Sequence, residues 1–181
     1  GKPRVDTELL RKHHEGLIAL SACLSGEIPR RLCAGDYSGA VEAARQMADI
    51  FGPDHFCIEI QNHRLPEEKQ ILPQLVRLAR ELELPLVATN DCHYLRREDA
   101  GMQEILTCIA TNRTLQDGGR IGFATDEFYY KTTAEMQALF SAFPEALENT
   151  VKIAARCSVE LDFSHTYLPR FPCPDGQSAG E

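Results

Sequence analysis

The segment Ala88-Thr89-Asn90-Asp91-Cys92-His93-Tyr94-Leu95 sets an aspartate and a histidine two residues apart at the end of an apolar run. A carboxylate beside an imidazole is either an oriented hydrogen-bonded pair or half of a metal site. The preceding run, Leu84-Pro85-Leu86-Val87-Ala88-Thr89, has the length and flanks of a buried strand. Residues i and i+2 of a strand share a face, so Asp91 and His93 are expected to project together and Cys92 the opposite way. Two other strand ends carry suitable groups: Cys23 at the first, and Glu59 with Gln61, Asn62 and His63 at the second. Thiolate and imidazole suit zinc, and a carboxylate admits manganese or magnesium. A metal near a phosphodiester would polarise phosphorus and deprotonate water at neutral pH.

Each of these residues also has a plain reading. Cys23 in an apolar strand is a small core residue. Asp91 caps the following helix with His93 as its partner, Glu59 bonds a neighbouring loop, and His63 faces solvent. His13-His14, among Arg11, Lys12 and Glu15, reads as a solvated helix face. Arg96-Arg97 is surface charge, or a phosphate contact if a site lies beside it. Spacing alone leaves these alternatives open.

The elements that must position these groups alternate. Residues 16 to 23 read as a strand, and Ser25-Gly26-Glu27 starts a short helix through Arg31. Asp36 caps a second helix with Val41, Ala44, Met47, Ala48 and Phe51 at helical spacing, ended by Gly52-Pro53. A strand over Phe56 to Ile60, an amphipathic helix from Leu65-Pro66 to Leu82 and the strand at 84 to 89 follow. Strand, helix, strand, helix, strand implies a parallel α/β sheet or barrel, with ligands bound beyond the carboxyl ends of the strands. From Arg97 the pattern changes to a helix over Ala100 to Ile109, a polar turn at Asp117-Gly118-Gly119, and a short strand at Glu127 to Tyr130. Thr132-Thr133-Ala134-Glu135 has capping-box spacing, and Pro144 to Arg156 is another helix. Leu168 to Gly176 is proline-spaced and extended, as in a linker.

Composition narrows the class. A chain of 181 residues, 43% hydrophobic, can bury a core without disulfides. Its seven cysteines form no C-x-x-C pair, so we expect reduced thiols in a cytoplasmic protein and no zinc ribbon. A net charge of −8 counts against strong nucleic-acid binding by this chain alone, although bound cations let an acidic protein handle phosphate. No stretch approaches the roughly 20 apolar residues of a membrane span. The chain opens Gly1-Lys2-Pro3-Arg4 without Met, and we expect a piece of a longer polypeptide.

The stretches Leu17 to Pro29, Ile58-Glu59-Ile60-Gln61-Asn62-His63 and Leu86 to Leu95 resemble the PHP (polymerase and histidinol phosphatase) domain of bacterial DNA polymerase III alpha subunits. Asp126 to Lys131, Pro144 to Thr150, Val159 to Phe163 and Leu168 to Pro172 are similar to the segment that follows it. The resemblance implies part of a distorted (β/α)7 barrel over residues 1–100, a mainly helical segment over 101–167, and an extended linker toward the polymerase palm over 168–181. It implies a metal cluster of Zn2+ or Mn2+ at the barrel mouth, to which Cys23, Asp91 and His93 correspond as ligands; Glu59 and His63, at the neighbouring strand end, are candidates for a supporting place beside it. In members that keep their ligands the cluster supports 3′ to 5′ exonuclease proofreading; in others the domain is a structural scaffold. The early His-x-His motif and the other upstream ligands are missing from this sequence, as are the palm carboxylates. The implied whole protein is a DNA-directed DNA polymerase, a nucleotidyltransferase of DNA replication. It uses deoxynucleoside triphosphates, Mg2+ and DNA and works with other replicase subunits. The isolated piece is expected to be inactive, with an uncovered sheet edge that allows self-association. The rival readings are a noncatalytic, partner-binding scaffold and a freestanding PHP phosphoesterase.

Overall fold

The apolar runs at the head of each predicted unit pair with one another in the computed structural model, which describes residues 4–116 and 122–165. Strands β1 (Ala19–Leu20), β2 (Phe56–Ile60) and β3 (Leu86–Ala88) form a parallel sheet in the order β1-β2-β3. Ala19 registers with Phe56, and Ile58 with Leu86. Every residue of β2 and β3 is buried, as expected of parallel strands covered on both faces. The strand expected over 16 to 23 shrinks to two paired residues, because only that part lies alongside β2.

Helix α1 (Thr7–His13) precedes the sheet, with the Asp6 carboxylate accepting from the Leu9 N–H. The crossover from β1 to β2 is made by α2 (Glu27–Cys33) and α3 (Tyr37–Phe51). Asp36 caps α3 through the Gly39 N–H at 2.9 Å, and Gly52, at φ 86°, ends it. The second crossover is α4 (Pro66–Glu81), begun by proline at a position that has no intrahelical donor to lose. Helices α3 and α4 pack against β2, and Leu32, Ala44, Ile58, Ile60 and Leu78 are sealed in the resulting core.

Beyond the sheet lie a 3-10 turn at Arg97–Asp99, α5 (Ala100–Thr111), α6 (Thr133–Leu139) and α7 (Pro144–Arg156). Thr132 and Glu135 form the expected capping box of α6. Helix α7 packs on β3, with Asn149 Nδ2 donating to the Leu86 carbonyl at 2.8 Å. The strand expected at Glu127 to Tyr130 is instead a single parallel bridge between Tyr94 and Tyr129. The turn at 117 to 119, the extended exit from Leu168 and Cys173 lie outside the described residues. No described helix is long and apolar enough to cross a membrane.

Candidate functional site at the strand ends

The carboxyl ends of the three strands are tied together by Glu59, the penultimate residue of the central strand. Its buried carboxylate accepts the Ala22 N–H at 3.0 Å, Gln61 Nε2 at 3.0 Å and the Thr89 hydroxyl. The Glu59 N–H donates to Ser21 Oγ at 2.8 Å. Ala22 adopts φ 67°, a left-handed conformation that alanine seldom takes. A Cβ on Gly26 would come within 2.5 Å of the Ser21 carbonyl oxygen, so the turn that carries Cys23 needs glycine there. Cys23 Sγ lies 3.0 Å from Ser25 Oγ within that turn.

Asp91 and His93 lie past the end of β3, in a segment without strand structure. The strand-face argument for their pairing is therefore corrected. Their side chains meet nonetheless, Asp91 Oδ1 standing 3.2 Å from His93 Nε2, each side chain 37% exposed. What aims them is the strap of residues 123 to 131. The His93 N–H donates to the Phe128 carbonyl at 2.8 Å, and Asn90 Nδ2 donates to the Tyr129 carbonyl at 2.5 Å. The His93 ring lies 4.3 Å from that of Phe123, which stacks on Phe128.

His63 does not face solvent, contrary to the plain reading of it. It is 1% exposed, because its ring stacks on Phe128 at 4.1 Å with an interplanar angle of 1°. His63 Nδ1 is 2.6 Å from Glu68 Oε1, and the Asp91 N–H donates to His63 Nε2 at 3.2 Å.

The strap is anchored by residues that sequence reasoning passed over. Glu127 is 2% exposed; its Oε1 meets Arg64 Nε at 3.0 Å and an Arg97 guanidinium nitrogen at 2.9 Å. Lys131 Nζ, also buried, lies 3.4 Å from Glu127 Oε2, bonds the Glu127 carbonyl and donates to Asn90 Oδ1 at 3.2 Å. Thr125 Oγ1 donates to the His63 carbonyl at 2.8 Å. A charged residue inside the aromatic run Glu127-Phe128-Tyr129-Tyr130, four residues before a lysine, was the available signal. Farther along, the Tyr129 hydroxyl donates to Glu135 at 2.6 Å. That bond, followed by those from the Thr132 N–H and hydroxyl, pulls the Glu135 carboxyl down to about 2.

Two donors held about 2.0–2.2 Å from one tetrahedral ion lie roughly 3.3 Å apart, so the spacing of Asp91 and His93 suits a shared cation. Cys23 does not join them, and the described residues contain no group of three or more His, Cys, Asp or Glu side chains placed to hold a metal. A carboxylate and an imidazole are short of a protein ligand set. The described residues thus do not fit a resident metal by themselves.

Residues 1–63 match the PHP domain family, so the chain carries PHP-domain sequence. It is 47% identical over 180 residues to the DNA polymerase III subunit alpha of Treponema pallidum (strain Nichols), an alignment covering 99% of this chain and 15% of that protein. Its identity to the same subunit of Thermus aquaticus is 44%, again over 99% of this chain and 15% of the relative. The Borreliella burgdorferi subunit is 41% identical over 96% of the chain and 15% of its own length. The chain is thus similar, over nearly its whole length, to one stretch of DNA polymerase III alpha subunits, and spans about 15% of the length of these relatives.

Proposed function

We propose that the chain is the PHP portion, with its connecting segment, of a replicative DNA polymerase III alpha subunit. The observation that carries this reading is the relation to such subunits over 99% of the chain. On this reading residues 1–100 belong to the PHP domain, 101–167 to the connecting segment and 168–181 to a linker toward the palm. The polymerase chemistry, with deoxynucleoside triphosphates, Mg2+ and DNA, takes place outside this chain. The protein works in the cytoplasm with other replicase subunits.

Within the PHP portion, Asp91 and His93 serve as two ligands of a Zn2+ or Mn2+ site for 3′ to 5′ cleavage. Cys23, which stands apart from the pair and contacts Ser25, would become a third only if its turn moved toward them, and further donors come from other parts of the protein. Their 3.2 Å contact supports this role. A bound cation of this kind would supply Lewis acidity at phosphorus. The chain's own part is to hold the Asp91 carboxylate and the His93 imidazole facing one another at a half-open rim. In the intact protein, Asp91→Asn and His93→Ala are expected to lower metal content and exonuclease rate together. Unchanged values for both would remove the ligand assignment.

The separation of Cys23, engaged with Ser25, from the Asp91–His93 pair favours a second reading: a noncatalytic scaffold that stabilises the polymerase and contacts a partner subunit. In that case the same substitutions alter thermal stability or partner affinity, and nuclease activity is absent from the start. A freestanding phosphoesterase is disfavoured by similarity to alpha subunits running well past residue 100. Sedimentation of the 181-residue chain tests self-association through the β1 edge.

A further inference from the structure

We infer that His63 is a positioning residue for Asp91: its Nε2 lone pair holds the Asp91 backbone N–H, and Glu68 selects the tautomer that makes this lone pair available. The inference rests on the reading above only in taking Asp91 as a functional carboxylate.

A backbone N–H can only donate, so the 3.2 Å contact from the Asp91 nitrogen requires an unprotonated Nε2 on His63. The proton of the neutral ring then sits on Nδ1, where it is donated to Glu68 Oε1 at 2.6 Å. Glu68 is itself fixed. Its Oε2 accepts the His63 N–H at 2.6 Å and the Leu65 N–H at 3.4 Å, in the first turn of α4. The parallel stack on Phe128 sets the plane of the imidazole. A continuous line of contacts thus runs from the start of α4 through Glu68 and His63 to the main chain at Asp91.

This line does what the sheet cannot do at that point. The last main-chain bond tying this chain end to β2 is from the Thr89 N–H to the Ile60 carbonyl, and β3 has already ended at Ala88. The Asp91 peptide is therefore oriented by a side chain. Partners of functional groups usually act on a ligand's side chain and fix its tautomer or direction; here the hold is on the backbone and occupies neither Asp91 carboxylate oxygen, one of which meets His93 Nε2. A buried His–Glu pair with a merely structural role would not report on the Asp91 amide.

Nitrogen-15 NMR of the full 181-residue chain reads the inference directly. His63 is expected to show a pyrrole-type Nδ1 and a pyridine-type Nε2, and the Asp91 amide to exchange slowly. His63→Phe keeps a ring against Phe128 but removes the acceptor, so Asp91 amide protection is expected to fall about fivefold or more. His63→Gln, which restores an acceptor oxygen, recovers part of that protection. The opposite tautomer, or unchanged protection in His63→Phe, overturns the inference. Should His63→Phe fail to fold, Glu68→Gln decides: a mixture of tautomers is expected, and an undisturbed Nδ1–H form removes the role given to Glu68. Asp91→Asn keeps the same backbone N–H, so the His63 signature persists in it. Unchanged metal content of that variant in the intact protein sinks the ligand reading alone.

Discussion

The sheet with its two crossovers, residues 19 to 88, and the strap of residues 123 to 131 with the side chains that anchor it are held by different forces. The first closes around side chains with no exposed surface: Leu32, Ala44, Ile58, Ile60 and Leu78. The second closes around Glu127, met by Arg64, Arg97 and Lys131, and around the stacked rings of His63, Phe128 and Phe123. Apolar burial is non-directional and roughly proportional to area. A buried polar network fixes distances and angles, and suffers when half satisfied. The sheet region supplies stability, and the strap region supplies the direction in which Asp91 and His93 face.

The contrast breaks most sharply at Glu127. Replacing it by alanine leaves a buried lysine without its carboxylate and takes one acidic partner from each of two arginines, a change expected to cost about 3–5 kcal/mol. Denaturant unfolding should show the loss, and the His93 ring resonances should move because Phe123 and Phe128 shift. A loss below about 1 kcal/mol would place the strap's stability elsewhere.

On the other side, Leu78→Ala empties a fully buried site in α4 and is expected to cost about 3 kcal/mol. The two substitutions should differ in kind as well as size. Leu78→Ala lowers the unfolding midpoint without moving the His93 resonances, and equal disturbance of those resonances would erase the division.

The smallest effect is a pH dependence confined to the far end of the strap. Glu135 is held at about 2, below its ordinary 4.5, first by the Tyr129 hydroxyl and then by Thr132. Because the folded-state value is the lower one, its contribution is complete above about pH 4.5 and fades as pH falls through about 2. Carboxyl-carbon titration should find Glu135 near 2, and Tyr129→Phe should bring it back toward the ordinary range.

Much of the first region was legible because period and punctuation agree there. The Asp36 cap, the Gly52 stop, Pro66 and the apolar run Phe56 to Ile60 each gave a boundary within a residue or two. The parallel direction of the strands followed from their alternation with helices. The second region was less legible because its contacts join residues 30 to 63 positions apart without periodicity. Glu127 with Arg97 and Arg64, and Thr125 with His63, leave no mark on local pattern. Asp91 and His93 were rightly seen as neighbours, but for a reason drawn from strands when the strap's carbonyls position them. His63 was open to misreading because a histidine after Gln61-Asn62 looks like loop, and only the distant Phe128 reveals its burial.

Glu59 reaches sideways to the exits of both flanking strands, through Ala22 on one side and Thr89 on the other. The three openings of the sheet are thus pinned to one shared hub and cannot drift independently. A disturbance at the Cys23 turn would reach Thr89 through this carboxylate, so strand exits far apart in the chain share one anchor.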